Sequence, residues 1–168
     1  MITLCAAENT EEDARQAFEW RNDRETVRAS YIALPKSWES FWMEFSAWYF
    51  SVPELCPCFV LKNGKKAGFV HFEAVEREDF PSGTAAEVMI NIDPKFRRKG
   101  IGTKALRKIK KLMKSRGIRA LVADVRNENK ASRRLFEKAG FEIFSKRKEF
   151  IEITREKCNI LCYRCILT

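Results

Sequence analysis

The stretch from Ala86 to Ala105 constrains this chain most, because it specifies a strand, a tight cationic turn and a helix start in that order. Val88, Ile90 and Ile92 alternate with Met89 and Asn91, the two-residue period of a strand. Pro94 cannot donate to a ladder and ends the run. Beyond Arg97-Arg98-Lys99-Gly100-Ile101-Gly102, the residues Ile101, Ala105, Ile109, Leu112 and Met113 recur three or four apart, which predicts one apolar helix stripe. The two glycines therefore sit at the mouth of a helix, where backbone N–H groups lack partners and the macrodipole is positive. With three cationic side chains around it, such a turn suits an oxyanion, and a diphosphate fits. No Gly-Lys-Ser/Thr follows and no third glycine is spaced for a dinucleotide fingerprint, so neither of those phosphate loops is present.

A second stretch runs Asn129-x-x-Ser132-x-x-Leu135-Phe136-Glu137-Lys138-Ala139-Gly140-Phe141. Together with Arg97-x-x-Gly100-x-Gly102 after an Ile-Asp-Pro strand end, it resembles the GNAT superfamily of acetyl-CoA-dependent N-acyltransferases. The resemblance covers Ala86 to Phe141. It implies an α/β (α+β) fold with a central mixed, mostly antiparallel sheet of about six to seven strands and helices on both faces. A looser similarity spans Phe18 to Phe45, where Trp20-Arg21-Asn22-Asp23, Glu25-x-Val27-Arg28 and Ser37-Trp38-Glu39 are similar to N-acetyltransferases acting on amino-sugar nucleotides.

At 168 residues the chain is read as a single domain over residues 1–168, long enough to bury a core. No basic n-region or long apolar run occupies the first residues, so neither a leader nor a membrane partner is expected and a cytoplasmic location follows. Probable helices cover about Glu11 to Asn22 and Ser37 to Phe50, the second carrying an aromatic stripe of Trp38, Phe41, Trp42, Phe45, Trp48 and Tyr49. That stripe is core, with one or two rings able to reach an acceptor site. Glu19 to Arg28 reads as a dense polar loop of the kind that lines pockets. Cys58–Leu61 and Ala67–Val75 pair as a hairpin through Asn63-Gly64, Leu121–Val125 is a further strand, and two closing strands lie near Phe141–Phe144 and Ile160–Leu167.

The six cysteines and one histidine do not make a metal site, because strand alternation sends Cys162 and Cys165 to opposite faces; no metal is expected. The formal charge is +9, and Lys95 to Arg119 contains no acidic residue. That cationic run suits a ligand bearing several phosphates. It lacks the interleaved aromatics of single-strand binders, so nucleic acid is not the expected main partner.

The resemblance implies direct attack of a neutral amine on the acetyl-CoA thioester, with a small-molecule amine as acceptor and an amino-sugar nucleotide as the specific choice. A protein N-terminus or lysine is the alternative, and a non-catalytic acyl-CoA-binding module is the reading from another class. A homodimer is open to it. Cofactor contacts fall on Ile90, Asn91 and Ile92 for the pantetheine arm, on Arg97, Arg98, Lys99, Gly100, Ile101, Gly102 and Thr103 for the diphosphate, and on Asn129, whose other reading is a helix cap. Glu87, Asp124 and His71 compete as general base, in that order. Phe136 stands where the family often has a tyrosine that protonates the leaving thiolate. Tyr163, Tyr31 or water is left to do so.

Overall fold

The computed structural model describes residues 1–30, 34–151 and 154–168. Its elements are β1 (Ile2–Ala6), α1 (Glu11–Arg21), α2 (Arg24–Ala29), α3 (Trp38–Ala47), β2 (Cys58–Lys62), β3 (Lys65–Ala74), β4 (Ala85–Ile92), α4 (Ile101–Ser115), β5 (Ala120–Arg126), α5 (Lys130–Lys138), β6 (Glu142–Ile151) and β7 (Glu156–Ile166). Among the described residues, seven strands form one sheet in the order β1-β2-β3-β4-β5-β7-β6. Every neighbouring pair is antiparallel except β4 and β5. The mixed, mostly antiparallel sheet with helices on both faces is thus as expected.

One face of the sheet carries α4 and α5 over a continuous apolar core that includes Val70, Phe72, Val88, Leu106, Ile109, Leu121, Phe136 and Tyr163. The apolar stripe of α4 supplies Ile101, Ala105, Leu106, Ile109 and Met113, all buried. The other face carries α1 and α3 over an aromatic core of Trp20, Phe41, Phe45, Phe59 and Phe69. Phe41 and Phe45 are fully buried, as the stripe requires, but Trp48 is 72% exposed. Helix α3 stops at Ala47 rather than Phe50, and the turn beyond it swings Tyr49 onto the sheet, where its ring stacks on His71 with centroids 4.4 Å apart.

Three other boundaries differ from the sequence reading. Residues 24–29, expected as loop, form a helix because the Asp23 side chain accepts from the Thr26 N–H and caps it. No residue of α2 is buried, which leaves no apolar periodicity to read. The last two strands extend to Ile151 and begin at Glu156. Lys146, Arg147, Lys148 and Glu149 look like a solvated charge run, yet they pair with Leu161, Ile160, Asn159 and Cys158 on an edge strand, a place where charged residues discourage further pairing. The Asn63-Gly64 hairpin forms as expected, with φ of 50° and 79° at the two turn residues, the left-handed pair that a tight hairpin demands.

Candidate active site

The sheet splits at its centre. β4 and β5 are in register only from Ala85 to Glu87 against Ala120 to Val122. Beyond that point β4 continues with β3 alone, Val88 to Ile92 facing Phe72 to Gly68, while Ala123 to Arg126 continue with β7. The two strands diverge, and the edge of β4 that carries Ile90, Asn91 and Ile92 has no strand across from it. The Ile92 carbonyl on this edge accepts from the Arg97 side chain; the remaining backbone groups that face the split suit an extended ligand that completes the ladder.

The turn after β4 leads into α4. Thr10, Asp23, Ser37 and Asn129 each place a side-chain oxygen on an N–H of the helix they open. At α4 the capping position is Gly100, with φ at 69° and no side-chain cap, so the N–H groups of its first turn are free for an anion. Arg98 is also left-handed, with φ at 61°. Gly102 has a packing reason as well as a binding one: a Cβ there would lie 2.8 Å from the Leu135 Cδ1. Leu135 is on α5, so this glycine lets the start of α4 pack closely against that helix.

The cationic side chains of the turn are not equivalent. Arg97 donates from Nε to the Ile92 carbonyl at 3.0 Å and turns its fork onto α2, 2.7 Å from Asp23, 3.0 Å from Glu25 and 2.9 Å from the Thr26 hydroxyl. Lys99 donates from Nζ to the Lys95 carbonyl. Asn129 accepts from the Ser132 N–H, capping α5, and its amide nitrogen reaches the Ala29 carbonyl at 3.4 Å. Helix α2 is thereby fastened to both walls of the split.

On the face bearing α1 and α3, the register brings polar side chains into a row across four strands. Glu73 lies opposite Glu87, Glu87 beside Val122, Asp124 opposite Cys162, and Arg147 beyond them on β6. Glu87 sits where the strands part and accepts from the Asp124 backbone N–H; burial, then the charges of Asp124 and Glu73, push its carboxyl up to about 7. Asp124 accepts from the Arg147 fork at 2.6 Å and from the Cys162 thiol. Hydrogen bonds to Asp124 and Glu149 raise the Arg147 pKa further. His71 shares this face, but burial and the nearby charges of Lys36 and Arg21 push it down to about 3, so it is neutral at pH 7 and a weak proton acceptor.

The profile described as the acetyltransferase (GNAT) family matches residues 14–141. The chain belongs to the GNAT acetyltransferase family. A Bacillus subtilis (strain 168) protein provisionally named phosphinothricin acetyltransferase YwnH is 36% identical over 96 residues, 56% of this chain. That match spans 58% of the relative's length. A crystal structure provisionally described as a phosphinothricin N-acetyltransferase superposes with a TM-score of 0.81 at 26% identity, covering 100% of this chain and 99% of the other. A Sinorhizobium meliloti phosphinothricin acetyltransferase, solved with acetyl-CoA, has the same fold with a TM-score of 0.79 at 23% identity, over 99% of this chain and 88% of that one.

Among the GNAT positions expected from the sequence, the fold gathers Ile90 to Ile92, Arg98 to Thr103 and Glu87 around the strand split. Arg97 and Asn129 also lie there, but their side chains are engaged with α2. Tyr163 stacks on Phe136 and donates its hydroxyl to Glu137 at 2.7 Å; Tyr31 lies outside the described residues. Sequence reasoning missed Glu73, Arg147 and Cys162, whose signal is cross-strand register rather than any local motif. All six cysteines are free thiols. Among the described residues no group of three or more His, Cys, Asp or Glu is placed to hold a metal, and no helix is long and apolar enough to cross a membrane.

Proposed function

We propose that this protein is an N-acetyltransferase that moves the acetyl group of acetyl-CoA to the primary amine of a small molecule, with Glu87 as the proton acceptor. The single observation that carries the reading is Glu87 at the point where β4 and β5 part, where burial and the neighbouring Asp124 and Glu73 push its carboxyl up to about 7. A base of that strength is half ionised near neutral pH and can accept a proton from an ammonium or from the attacking amine. Acetyl-CoA, when bound, supplies an activated thioester.

The residues present fit that cosubstrate. The open edge at Ile90, Asn91 and Ile92 would hold the pantetheine arm, and the N–H groups from Arg98 to Thr103 would hold the diphosphate, in a turn where Gly102 leaves room that a Cβ would take from Leu135. Asp124 lies beside Glu87 and is held in place by the Arg147 fork and the Cys162 thiol. The hydroxyl of Tyr163 is already donated to Glu137, and a thiol near its ordinary pKa of about 8.5 leaves as thiolate without an acid.

The names of the relatives support an acceptor of amino-acid type more than an amino-sugar nucleotide. Calorimetric titration with acetyl-CoA, followed by thiol release over panels of amino acids, amino-sugar nucleotides, aminoglycosides, polyamines and peptides, tests the reading. Binding together with thiol release for one small-molecule class is the expected result. Binding with no release for any amine would make the chain a coenzyme-binding module instead.

A further inference from the structure

Two acidic side chains stand directly opposite each other near the centre of the sheet. Glu73 on β3 pairs in register with Glu87 on β4. Strand alternation puts both on the face that carries α1 and α3, where Phe69 and His71 precede Glu73 along β3. Side chains opposed in this way have Cβ atoms about 4.5–5.5 Å apart, and like charges there destabilise a sheet. The cation that reaches this row is Arg147, and its fork is occupied by Asp124 and Glu149, each at 2.6 Å. Among the described residues the Glu73 carboxylate makes no ion pair or hydrogen bond.

The surroundings of the two carboxylates differ. Glu87 is half-buried at the point where β4 and β5 part, whereas Glu73 is exposed. The pair therefore leads from the split out to water. The charged neighbours of Glu87 are Glu73 from β3, Asp124 from β5 and Arg147 from β6. Those of Glu73 are Glu87 and the titratable Tyr49 in the turn after α3, with His71 next to it on the same face of β3.

An alkyl amine, with a pKa of about 10.4, arrives at neutral pH as an ammonium. Acetylating it removes two protons from one nitrogen. The first must leave before the lone pair can attack; the second leaves as the C–N bond forms and the C–S bond breaks. Ammonium and thioester thus become amide, free thiol and one proton given to water. A lone carboxylate that has taken the first proton is no longer a base for the second. An exposed carboxylate opposite it removes that block.

We infer that Glu73 is a proton-relay residue: Glu87 takes the first proton of the ammonium and passes it across the strand pair to Glu73, which sheds it to solvent. Glu87, ionised again, takes the second proton, which ends on the departing thiolate. The inference rests on the reading of Glu87 as proton acceptor given above.

The pH dependence of paired rates tests it. With the full chain, saturating acetyl-CoA and the acceptor that responds in the panel, kcat/KM for thiol release is followed in the wild-type protein, Glu73→Gln and Glu73→Asp. At neutral pH Glu73→Gln is expected to lower it by roughly tenfold. That deficit shrinks as the pH approaches the acceptor's own pKa, about 8 for an α-amino group and about 10.4 for a lysine-like amine, because the amine then arrives neutral with one proton fewer to lose. Glu73→Asp recovers part of the rate. A purely electrostatic role has the opposite sign: without a negative neighbour Glu87 ionises at lower pH, and Glu73→Gln is faster on the acid side.

A faster Glu73→Gln on the acid side, or a ratio of wild-type to variant that is flat with pH, overturns the inference and leaves Glu87 in its role, which the loss of rate in Glu87→Gln reports separately. Calorimetric stoichiometry for acetyl-CoA counts the folded molecules at each pH, so loss of folded protein does not mimic the expected result. Thiol release undiminished in Glu87→Gln, or absent with every amine in the wild-type protein, overturns the reading of Glu87 and this inference with it.

Discussion

The two faces of the central sheet are built on different plans. Beneath α4 and α5 the sheet is a continuous apolar surface, and the functional elements at its edge are backbone: an open strand edge, an uncapped helix start and glycines. The opposite face is divided. Its β1–β3 part is sealed by aromatic rings from α1 and α3, whereas its β4–β6 part presents Glu73, Glu87, Asp124, Arg126 and Arg147. A ligand held by backbone depends on where the chain runs; a ligand held by side chains depends on which residues a particular chain carries. One fold can therefore keep a common coenzyme on the first plan while the acceptor varies on the second.

Substitutions break this comparison most sharply at Glu87. Glu87→Gln is expected to lower the rate of thiol release by about 10²–10⁴-fold while leaving acetyl-CoA affinity, measured by calorimetry, unchanged. An equal loss of binding would mean that the two faces are not separable. In the wild-type protein the rate should rise with pH through about 7, as the Glu87 carboxyl ionises. Stability should move the other way, because the folded protein holds this proton more tightly than the unfolded chain. Ionising Glu87 between about 4.5 and about 7 therefore erodes stability as pH rises, and Glu87→Gln should flatten that slope in urea titrations.

Phe45, fully buried against Phe69 on the sealed part, provides the structural counterpart. Phe45→Ala should cost about 3–5 kcal/mol in denaturant unfolding with a smaller effect on coenzyme affinity. On the coenzyme side, Gly102→Asp should weaken acetyl-CoA binding by roughly ten- to a hundredfold through charge repulsion at the helix start. Adding Leu135→Ala separates packing from charge, since it removes the atom that a Cβ would strike; affinity regained in the double variant would make the role of Gly102 one of packing. The smallest effect is expected at Arg147. Arg147 holds the Glu87 proton affinity down, so Arg147→Gln should shift the acid limb of the rate profile upward, by something on the order of half a unit.

The elements that we propose hold the coenzyme were legible in the sequence because they are consecutive: strand, proline, glycine turn and amphipathic helix follow one another from Ala86 to Ser115. Glu87 was legible for the same reason, being two residues before Met89 in that strand. Its surroundings were not. Glu73 meets it only once the segment between β3 and β4 fixes the register. Arg147 reaches Asp124 across 23 positions, and Cys162 across 38. The charged run from Lys146 to Glu149 hides a strand because both of its alternating sets are polar, so no period of two emerges from hydrophobicity. Helix α2 stayed hidden since it buries nothing, although its Asp23 cap was in plain view.

The absence of buried residues in α2 has a consequence for its attachment. Among the described residues, its polar attachments include the Arg97 contacts to Asp23, Glu25 and Thr26 at one wall and the Asn129 contact to Ala29 at the other. Ion pairs of this partly exposed kind weaken as dissolved salt shortens the range of charge. Ionic strength is thus a conformational variable for this protein: added salt loosens the strap over the strand split at one side and leaves the amide contact at the other, turning a fastened crosspiece into a hinged one.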